Sequence, residues 1–311
     1  MIRTGQIPVS EMRASMFLHP RYWAVWMGYG CLWIVVRLPH AWRIRVGNGL
    51  GLLGYRIAGS RRHIVEANLR SCFPSLDDSE FEKLAKAVFK SGGVSIIETA
   101  ISWLGQRDSV LSRCTFDGLD HLKQAHKKGR GVILLGVHMS TLDIAGALMA
   151  SEAQVDVMYR ANKNPLIEFL MTSRRGRLFP HTIERGDIRA VIKNLKAGHI
   201  VWYGPDQDYG ARNSVFVPFF GIEAATTTAP SRLAKITGAS VIPFAHYREN
   251  GGATYRIEML PPLEDFPGAS FEADAIRVNE LTERAIRKYP EQYWWFHRRF
   301  KTRPEGEASF Y

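Results

Sequence analysis

Near its start the chain carries an uncharged hydrophobic run, Tyr22 to Val36 (YWAVWMGYGCLWIVV), bounded by Arg21 and Arg37. A bilayer span takes about 20 apolar residues, so the run falls short of one even with Leu38 added. Trp23, Trp26 and Trp33 suit the water–bilayer interface; a buried core helix is the alternative. Arginines are denser after the run (Arg37, Arg43, Arg45, Arg56, Arg61, Arg62) than before it (Arg3, Arg13, Arg21). By the positive-inside rule the remainder then faces the cytoplasm. No A-x-A-like cleavage site follows the run. The pattern predicts a membrane-anchoring helix in residues 1–39 and a single domain over 40–311.

Residues 40–112 read as helical; Phe81, Leu84, Ala85 and Val88 recur at helical spacing. From about Arg113 the texture changes to short apolar runs alternating with amphipathic segments. Strands are predicted at Gly131–Val137, Val155–Tyr159, His199–Tyr203, Ser240–Tyr247 and Ala253–Leu260. Helices are predicted at Thr141–Ala150, Pro165–Ser173, 188–195 (Asp187 capping, Gly198 stopping) and Phe271–Tyr289. This alternation predicts an α/β fold, a central mostly parallel sheet flanked by helices. No internal repeat or low-complexity linker divides it.

Composition narrows the partners. The formal charge is +11, which attracts polyanions: nucleic acid, anionic lipid or an acidic protein. Cys31, Cys72 and Cys114 show neither C-x-x-C spacing nor an even-numbered framework, which fits a reducing compartment. There is no G-x-S-x-G elbow and no Walker A sequence. Gly49, Gly51 and Gly54 spell G-x-G-x-x-G, but no strand precedes them, so a nucleotide site is not predicted. Closely spaced glycines also let helices approach one another or a membrane surface.

His138 and Asp143 form H-x-x-x-x-D. His138 ends the buried run Gly131–Val137, at the carboxyl edge where open α/β sheets bind ligands. Asp143 falls in the first turn of the next helix. On one continuous helix the two would sit about 140° apart, whereas across a strand-to-helix bend they can meet. Histidine titrates near neutrality and suits a general base, and a carboxylate on its other nitrogen would fix the tautomer. Acyl transfer from a thioester to an alcohol needs such a base and no acyl-enzyme. A core histidine satisfied by a nearby cap is the competing reading.

His138 to Asp143 resembles the catalytic motif of the glycerolipid acyltransferase superfamily. The chain resembles that superfamily's lipid A late acyltransferase branch nearly end to end. The matching blocks are HPRYW (19–23), ANLRSCFP (67–74), YRANKNPLIE (159–168), VWYGPDQDYGARNSVFVPFFG (201–221), ATTT (225–228) and HRRFKTRPEG (297–306). The pattern is nearest to the lauroyl transferases that act on Kdo-lipid A. Many late acyltransferases carry glutamate at the acid position, whereas this chain has Asp143, as the wider superfamily does. Acyl length and acylated hydroxyl are therefore left open.

The resemblance implies transfer of an acyl chain, lauroyl in the nearest branch, from acyl carrier protein to a hydroxyl of a lipid A precursor. The setting is the cytoplasmic face of the bacterial inner membrane. His138 and Asp143 are the implied catalytic pair, and no cofactor is called for beyond the acyl carrier protein thioester as donor. Arg160, with Asn164 in the same block, is expected to bind an anionic group of the acceptor. Asp206 and Asp208, with Arg212, are expected on the substrate side. These carboxylates could take acceptor hydroxyls or hold Arg160 or Arg212; magnesium ligation competes, but the chemistry needs no metal. Val241, Ile242 and Pro243 resemble a further motif, read as acyl-pocket wall or plain core strand. Tyr293–Phe296 with His297, Arg298, Arg299, Lys301 and Arg303 reads as an aromatic and basic patch for a membrane surface. The charge also suits the acidic acyl carrier protein. A glycerolipid or glycolipid acceptor is the main alternative. A basic protein binding nucleic acid without catalysis is disfavoured by the strand-end His138.

Overall fold

The computed structural model describes residues 12–311. Residues 1–11, part of the expected anchor together with Arg3, lie outside the described residues. The helical front comprises α1 (Trp23–Val35), α2 (His40–Ile57), α3 (Gly59–Cys72), α4 (Asp78–Trp103) and the short α5 (Asp108–Leu111). There follow β1 (Cys114–Asp117), α6 (Leu119–Lys127), β2 (Val132–Gly136), α7 (Leu142–Met149), β3 (Val155–Tyr159), α8 (Pro165–Arg175) and β4 (Thr182–Glu184). Then come α9 (Ile188–Lys196), β5 (Ile200–Tyr203), β6 (Ser214–Phe219), β7 (Ile222–Thr227) and α10 (Ala229–Thr237). The chain closes with β8 (Ser240–Glu249), β9 (Thr254–Met259) and α11 (Phe271–Lys288).

Seven strands form one sheet in the order β1-β9-β8-β2-β5-β3-β4, and β6 pairs with β7 in a separate antiparallel hairpin. From β8 to β4 the strands run parallel, and only the β8–β9 junction is antiparallel. The expected sheet flanked by helices is thus present. Strand β2 is buried along its whole length, because both its faces are covered. Val132 and Leu134 pack with Ile97 and Ile101 of α4 and Leu148 of α7. Ile133 and Leu135 point the other way, into Val191 and Leu195 of α9 and Leu233 of α10. A strand buried on both faces reads as a continuous apolar run, which is why VILLG is legible. The strands β1 and β4 and the β6–β7 hairpin go beyond the predicted elements.

Helix α4 is 26 residues long and starts on a full capping box: Asp77 accepts from the Glu80 N–H, and Glu80 reaches back to the Asp77 N–H. It crosses α2 at backbone contact. A Cβ on Gly51 would lie 2.2 Å from the Phe89 carbonyl oxygen, and one on Gly93 would lie 2.2 Å from the Gly47 carbonyl oxygen. The three glycines that spell a nucleotide motif therefore sit inside a helix, and one of them, Gly51, closes the helix–helix contact together with Gly47 and Gly93.

Two expectations about membrane contact need correction. The N-terminal run does fold as a helix, but α1 is 13 residues long, about 20 Å at 1.5 Å per residue. Among the described residues no helix is long and apolar enough to cross a membrane, so a transmembrane α1 is not supported. The aromatic and basic C-terminal stretch, expected on a membrane surface, packs largely into the protein, with Arg298 and Lys301 left exposed. Tyr293, Trp295, Arg299 and Phe300 are buried, and Arg299 donates to the Ala225 carbonyl and to Thr226 Oγ1. Aromatic pairs such as Tyr293–Trp295, with centroids 4.7 Å apart, account for the composition.

Replacing Gly51 with alanine is expected to destabilise the protein by about 1–3 kcal/mol or more, because the new methyl group meets backbone rather than a movable side chain. Thermal melts of the detergent-purified variant check this. An unchanged melting temperature would refute the close crossing.

Candidate active site

The carboxyl ends of β2, β5, β3 and β4 share one edge of the sheet. His138 follows β2, Asp206 follows β5, Arg160 follows β3 and Arg185 follows β4. His138 is held by Asp206 twice: Nδ1 lies 2.6 Å from Asp206 Oδ1, and the His138 backbone N–H donates to Oδ2 at 3.0 Å. Burial of Asp206 works to raise its pKa, but the charge and hydrogen bonds of His138, helped by His297, hold it down to about 2. At neutral pH the group is a carboxylate, which fixes the proton of His138 on Nδ1 and leaves Nε2 as the basic nitrogen. Among the described residues Nε2 has no hydrogen-bond partner.

The ring also packs edge-on against Trp202, with centroids 5.2 Å apart. Gly204 makes this possible, since a Cβ there would lie 2.5 Å from His138 Cε1. From the other side, Trp294 N–H donates to the His138 carbonyl and Tyr293 OH donates to the Asp206 carbonyl. The C-terminal stretch is therefore part of the frame of the site.

Asp143 lies on α7, one turn after His138, but faces elsewhere. Its carboxylate accepts from Arg175 Nη2 at 3.0 Å and Thr99 Oγ1 at 2.9 Å, and Ser102 Oγ donates to its carbonyl. The hydrogen bond to the histidine ring is made by Asp206, not by Asp143. Ser140 and Thr141, between the two, are buried. Ser140 bonds Ser91 of α4 at 2.7 Å, and Thr141 Oγ1 lies 2.7 Å from Nδ1 of buried His246.

Two cavities meet at this edge. One, about 650 Å³, is lined by His138, Arg160, Arg185, Gln207, Arg212 and Arg232, with no acidic residue in its wall. None of these four arginines forms an ion pair among the described residues. The other, about 70 Å³, is apolar: Leu134, Leu142, Gly146, Met149, Val157 and Phe179 line it, with Asp143 and Arg175 at its polar end. Trp202 and Met158 line both cavities.

The remaining expected site residues fall as follows. Arg160 and Arg212 line the basic cavity. Asn164 lies outside that wall; its side-chain oxygen caps α8, accepting from the Leu166 and Ile167 N–H groups. Asp208 is engaged by the Gly210 N–H and by the N–H and hydroxyl of Thr302. Neither Asp206 nor Asp208 pairs with Arg160 or Arg212. Val241 and Ile242 are core residues of β8, and Phe244 is the part of that strand lining the apolar cavity. Arg185, Arg232 and Arg175 were not singled out from sequence. Arg185 carried a signal, since it closes a polar segment just before the Asp187 cap.

Residues 11–302 match the family described as "Bacterial lipid A biosynthesis acyltransferase". The chain belongs to that family. It is 41% identical to the lipid A biosynthesis lauroyltransferase of Escherichia coli (strain K12), over 96% of this chain and 98% of that protein. It is 38% identical to the palmitoleoyltransferase of the same strain, over 95% and 96%, and 31% identical to the myristoyltransferase, over 95% and 92%. The enzyme is therefore an acyltransferase.

The acyltransferase also carries an acid-sensitive group behind this site. His246 is 1% exposed, and burial pushes its pKa down to about 3. An unfolded histidine titrates near ~6.5. As pH falls below that value the unfolded chain takes up a proton that the folded protein refuses. Stability is then lost at up to about 1.4 kcal/mol per pH unit from this one residue. Urea melts between pH 7.5 and 5 are expected to show a falling midpoint, with a shallower fall in His246→Gln. Equal slopes in the two proteins would exclude His246 as the cause.

Proposed function

We propose that this acyltransferase moves a fatty acyl chain of lauroyl class from acyl carrier protein to a hydroxyl of a 3-hydroxyacyl chain on a Kdo-lipid A precursor. The observation that carries the reading is His138, its Nδ1 anchored on Asp206, in the wall of a four-arginine cavity that adjoins an apolar one. The acceptor's anionic groups bind the arginines, whose planar forks suit phosphate and carboxylate. The acyl chain is directed at the apolar cavity, which at about 70 Å³ must widen to take a lauroyl chain; flexible Met149 and Met158 in its wall can give way. The acceptor O–H gives its proton to His138 Nε2 as the oxygen attacks the thioester carbonyl. The tetrahedral intermediate collapses with C–S cleavage, and the thiolate leaves with the proton from the imidazolium. Asp143 belongs to the machinery as the residue that fixes Arg175 at the polar end of the acyl cavity, beside the thioester carbonyl.

On this reading the reaction takes place at the cytoplasmic face of the inner membrane. Large apolar side chains are exposed on both front helices: Trp23, Met27, Trp33 and Ile34 on α1, and Trp42, Leu53 and Ile57 on α2. Arg37 stacks on Trp33. Such exposure suits embedding in the interface rather than spanning. The charge of +11 suits encounter with an acidic carrier protein. A glycerolipid acceptor needs fewer cationic partners than the four arginines supply.

Mass spectrometry of reactions with a panel of acyl carrier protein thioesters and tetra-acylated Kdo-lipid A tests the proposal. One added acyl chain is expected, absent in His138→Ala; turnover retained in that variant would sink it. Lysophosphatidic acid in parallel separates the glycerolipid reading. Asp206→Asn is expected to lower kcat about 10²- to 10⁴-fold, the range for losing a well-placed general base. Asp143→Asn is expected to act through Arg175, so Arg175→Ala should reproduce its defect and the double variant should add little. An Asp206→Asn enzyme with wild-type kcat would remove Asp206 from the reaction.

A further inference from the structure

At the opposite, amino-terminal edge of the sheet, three ligand-type side chains converge that the acyl-transfer reaction does not use. Asp156 is the second residue of β3, His181 immediately precedes β4, and His199 immediately precedes β5. The three strands are neighbours and run parallel, so their starts lie side by side. His181 Nδ1 lies 2.9 Å from Asp156 Oδ1, and His199 Nδ1 lies 2.9 Å from Asp156 Oδ2. One ligand atom from each residue lies within 4.8 Å of the other two. The two imidazole rings lean on each other with centroids 5.3 Å apart.

We propose that Asp156, His181 and His199 form a binding site for a divalent transition-metal cation of zinc type, which ties the starts of β3, β4 and β5 together. Two imidazole nitrogens and one carboxylate oxygen are a donor set that zinc accepts at about 2.0–2.2 Å, with a fourth place left to water. Donors around such an ion sit about 3.4 Å apart in a tetrahedron, so small rotations of the two rings suffice. Both rings can move: the side chains of His181 and His199 are 52% and 37% exposed, while that of Asp156 is 1% exposed. Asn194 of α9 donates to Asp156 Oδ2 at 2.7 Å, the kind of outer hydrogen bond that orients a ligating carboxylate. A cavity of about 440 Å³, with His199 and Asp156 in its wall, opens beside the cluster to admit the ion and water. The cation would take the place of the Nδ1 hydrogens that now bridge to Asp156, and each neutral ring would carry its one proton on Nε2 instead, facing solvent.

The position gives the cation a mechanical consequence. Strand β4 is an edge strand of three residues, paired only with β3. At their far ends β3 and β4 lead directly into Arg160 and Arg185 in the basic cavity, four residues beyond Asp156 and His181, about 13 Å away. A cation at the near end pins the two strands that present those arginines. It is remote from His138 and enters no step of the reaction.

Full-length protein in detergent, stripped with EDTA and dialysed, is titrated with zinc chloride by calorimetry, and bound metal is counted by mass spectrometry. The expected result is one zinc per chain with micromolar or tighter affinity and a raised melting temperature. His181→Gln and His199→Gln, both at half-exposed positions, are each expected to bind at least tenfold more weakly. Cobalt offered in place of zinc should give the visible spectrum of a tetrahedral nitrogen–oxygen site. Zinc should shield His181 and His199 of the wild-type chain from diethylpyrocarbonate, a readout that needs no variant. Absence of stoichiometric zinc, or variants that bind as well as wild type, or no protection of these two histidines, would overturn the proposal and leave a hydrogen-bonded cluster.

Discussion

The buried pair between Glu98 and Arg248 holds the sheet edge that carries His138 in place. Arg248 Nε and Nη2 donate to the two carboxylate oxygens of Glu98 at 2.7 and 2.6 Å, and Tyr255 OH adds a third bond at 2.8 Å. Both residues are under 10% exposed. Such a pair gains little net stability over apolar packing, but losing one partner strands a buried charge at a cost of about 3–5 kcal/mol. Its geometry links parts of the chain that would otherwise only touch. Glu98 belongs to α4, Arg248 to β8 and Tyr255 to β9. Arg248 also reaches Ser91 and Ser140. Gln292 exchanges two hydrogen bonds with the Arg248 backbone, while its own carbonyl takes the Ser140 N–H. The loop from His138 to Asp143 is thereby bolted on one side to a charged core and on the other to the C-terminal stretch.

That loop faces two ways. Before it, His138 turns toward β5 and finds Asp206. After it, α7 carries Asp143 toward α4 and α8, where Thr99 and Arg175 wait. The buried Ser140 and Thr141 are the pivot. The five-residue spacing between His138 and Asp143 thus serves two neighbouring environments: a carboxylate-anchored imidazole on the polar side and a guanidinium fixed by a carboxylate beside the apolar cavity.

What was legible in the sequence follows from the same physics. Val155–Tyr159 forms the strand over the predicted residues, and Asp187 caps α9 as its position implies, because both signals are local. Strand β4 was not legible: three residues carry no periodicity, and only pairing with β3 makes them a strand. The histidine's partner was not legible as such either. Asp206 lies 68 residues from His138 and was read as a substrate ligand, since sequence spacing favours the nearer Asp143. The C-terminal stretch misled for a related reason. Arginines beside tryptophans look like a surface patch, yet Arg299 is buried under Phe219, and its two terminal nitrogens donate to a backbone carbonyl and a hydroxyl oxygen. Glu98 in the apolar run GGVSIIETAISW and Arg248 at the end of VIPFAHYR were visible oddities whose pairing required the fold.

Trp202 brings these threads to one place. It follows the core of β5 outward, packs its edge on His138 and forms the wall shared by the basic and apolar cavities. Its ring fits because Gly136 on the neighbouring strand has no Cβ; one built there would lie 2.1 Å from Trp202 Nε1. Gly204 then clears the space for His138 in the same way. Two missing side chains on adjacent strands therefore allow an indole and an imidazole to stand edge to face at the sheet's rim. On the proposed reading, substrates lying in the two cavities meet across that indole, and His138 Nε2, which has no hydrogen-bond partner among the described residues, stands beside it. An anionic acceptor and an acyl chain have little chemistry in common, so a site that joins them must hold opposite environments a few ångströms apart. On the proposed reading the sheet edge does this with one aromatic side chain, Trp202, and Met158 beside it.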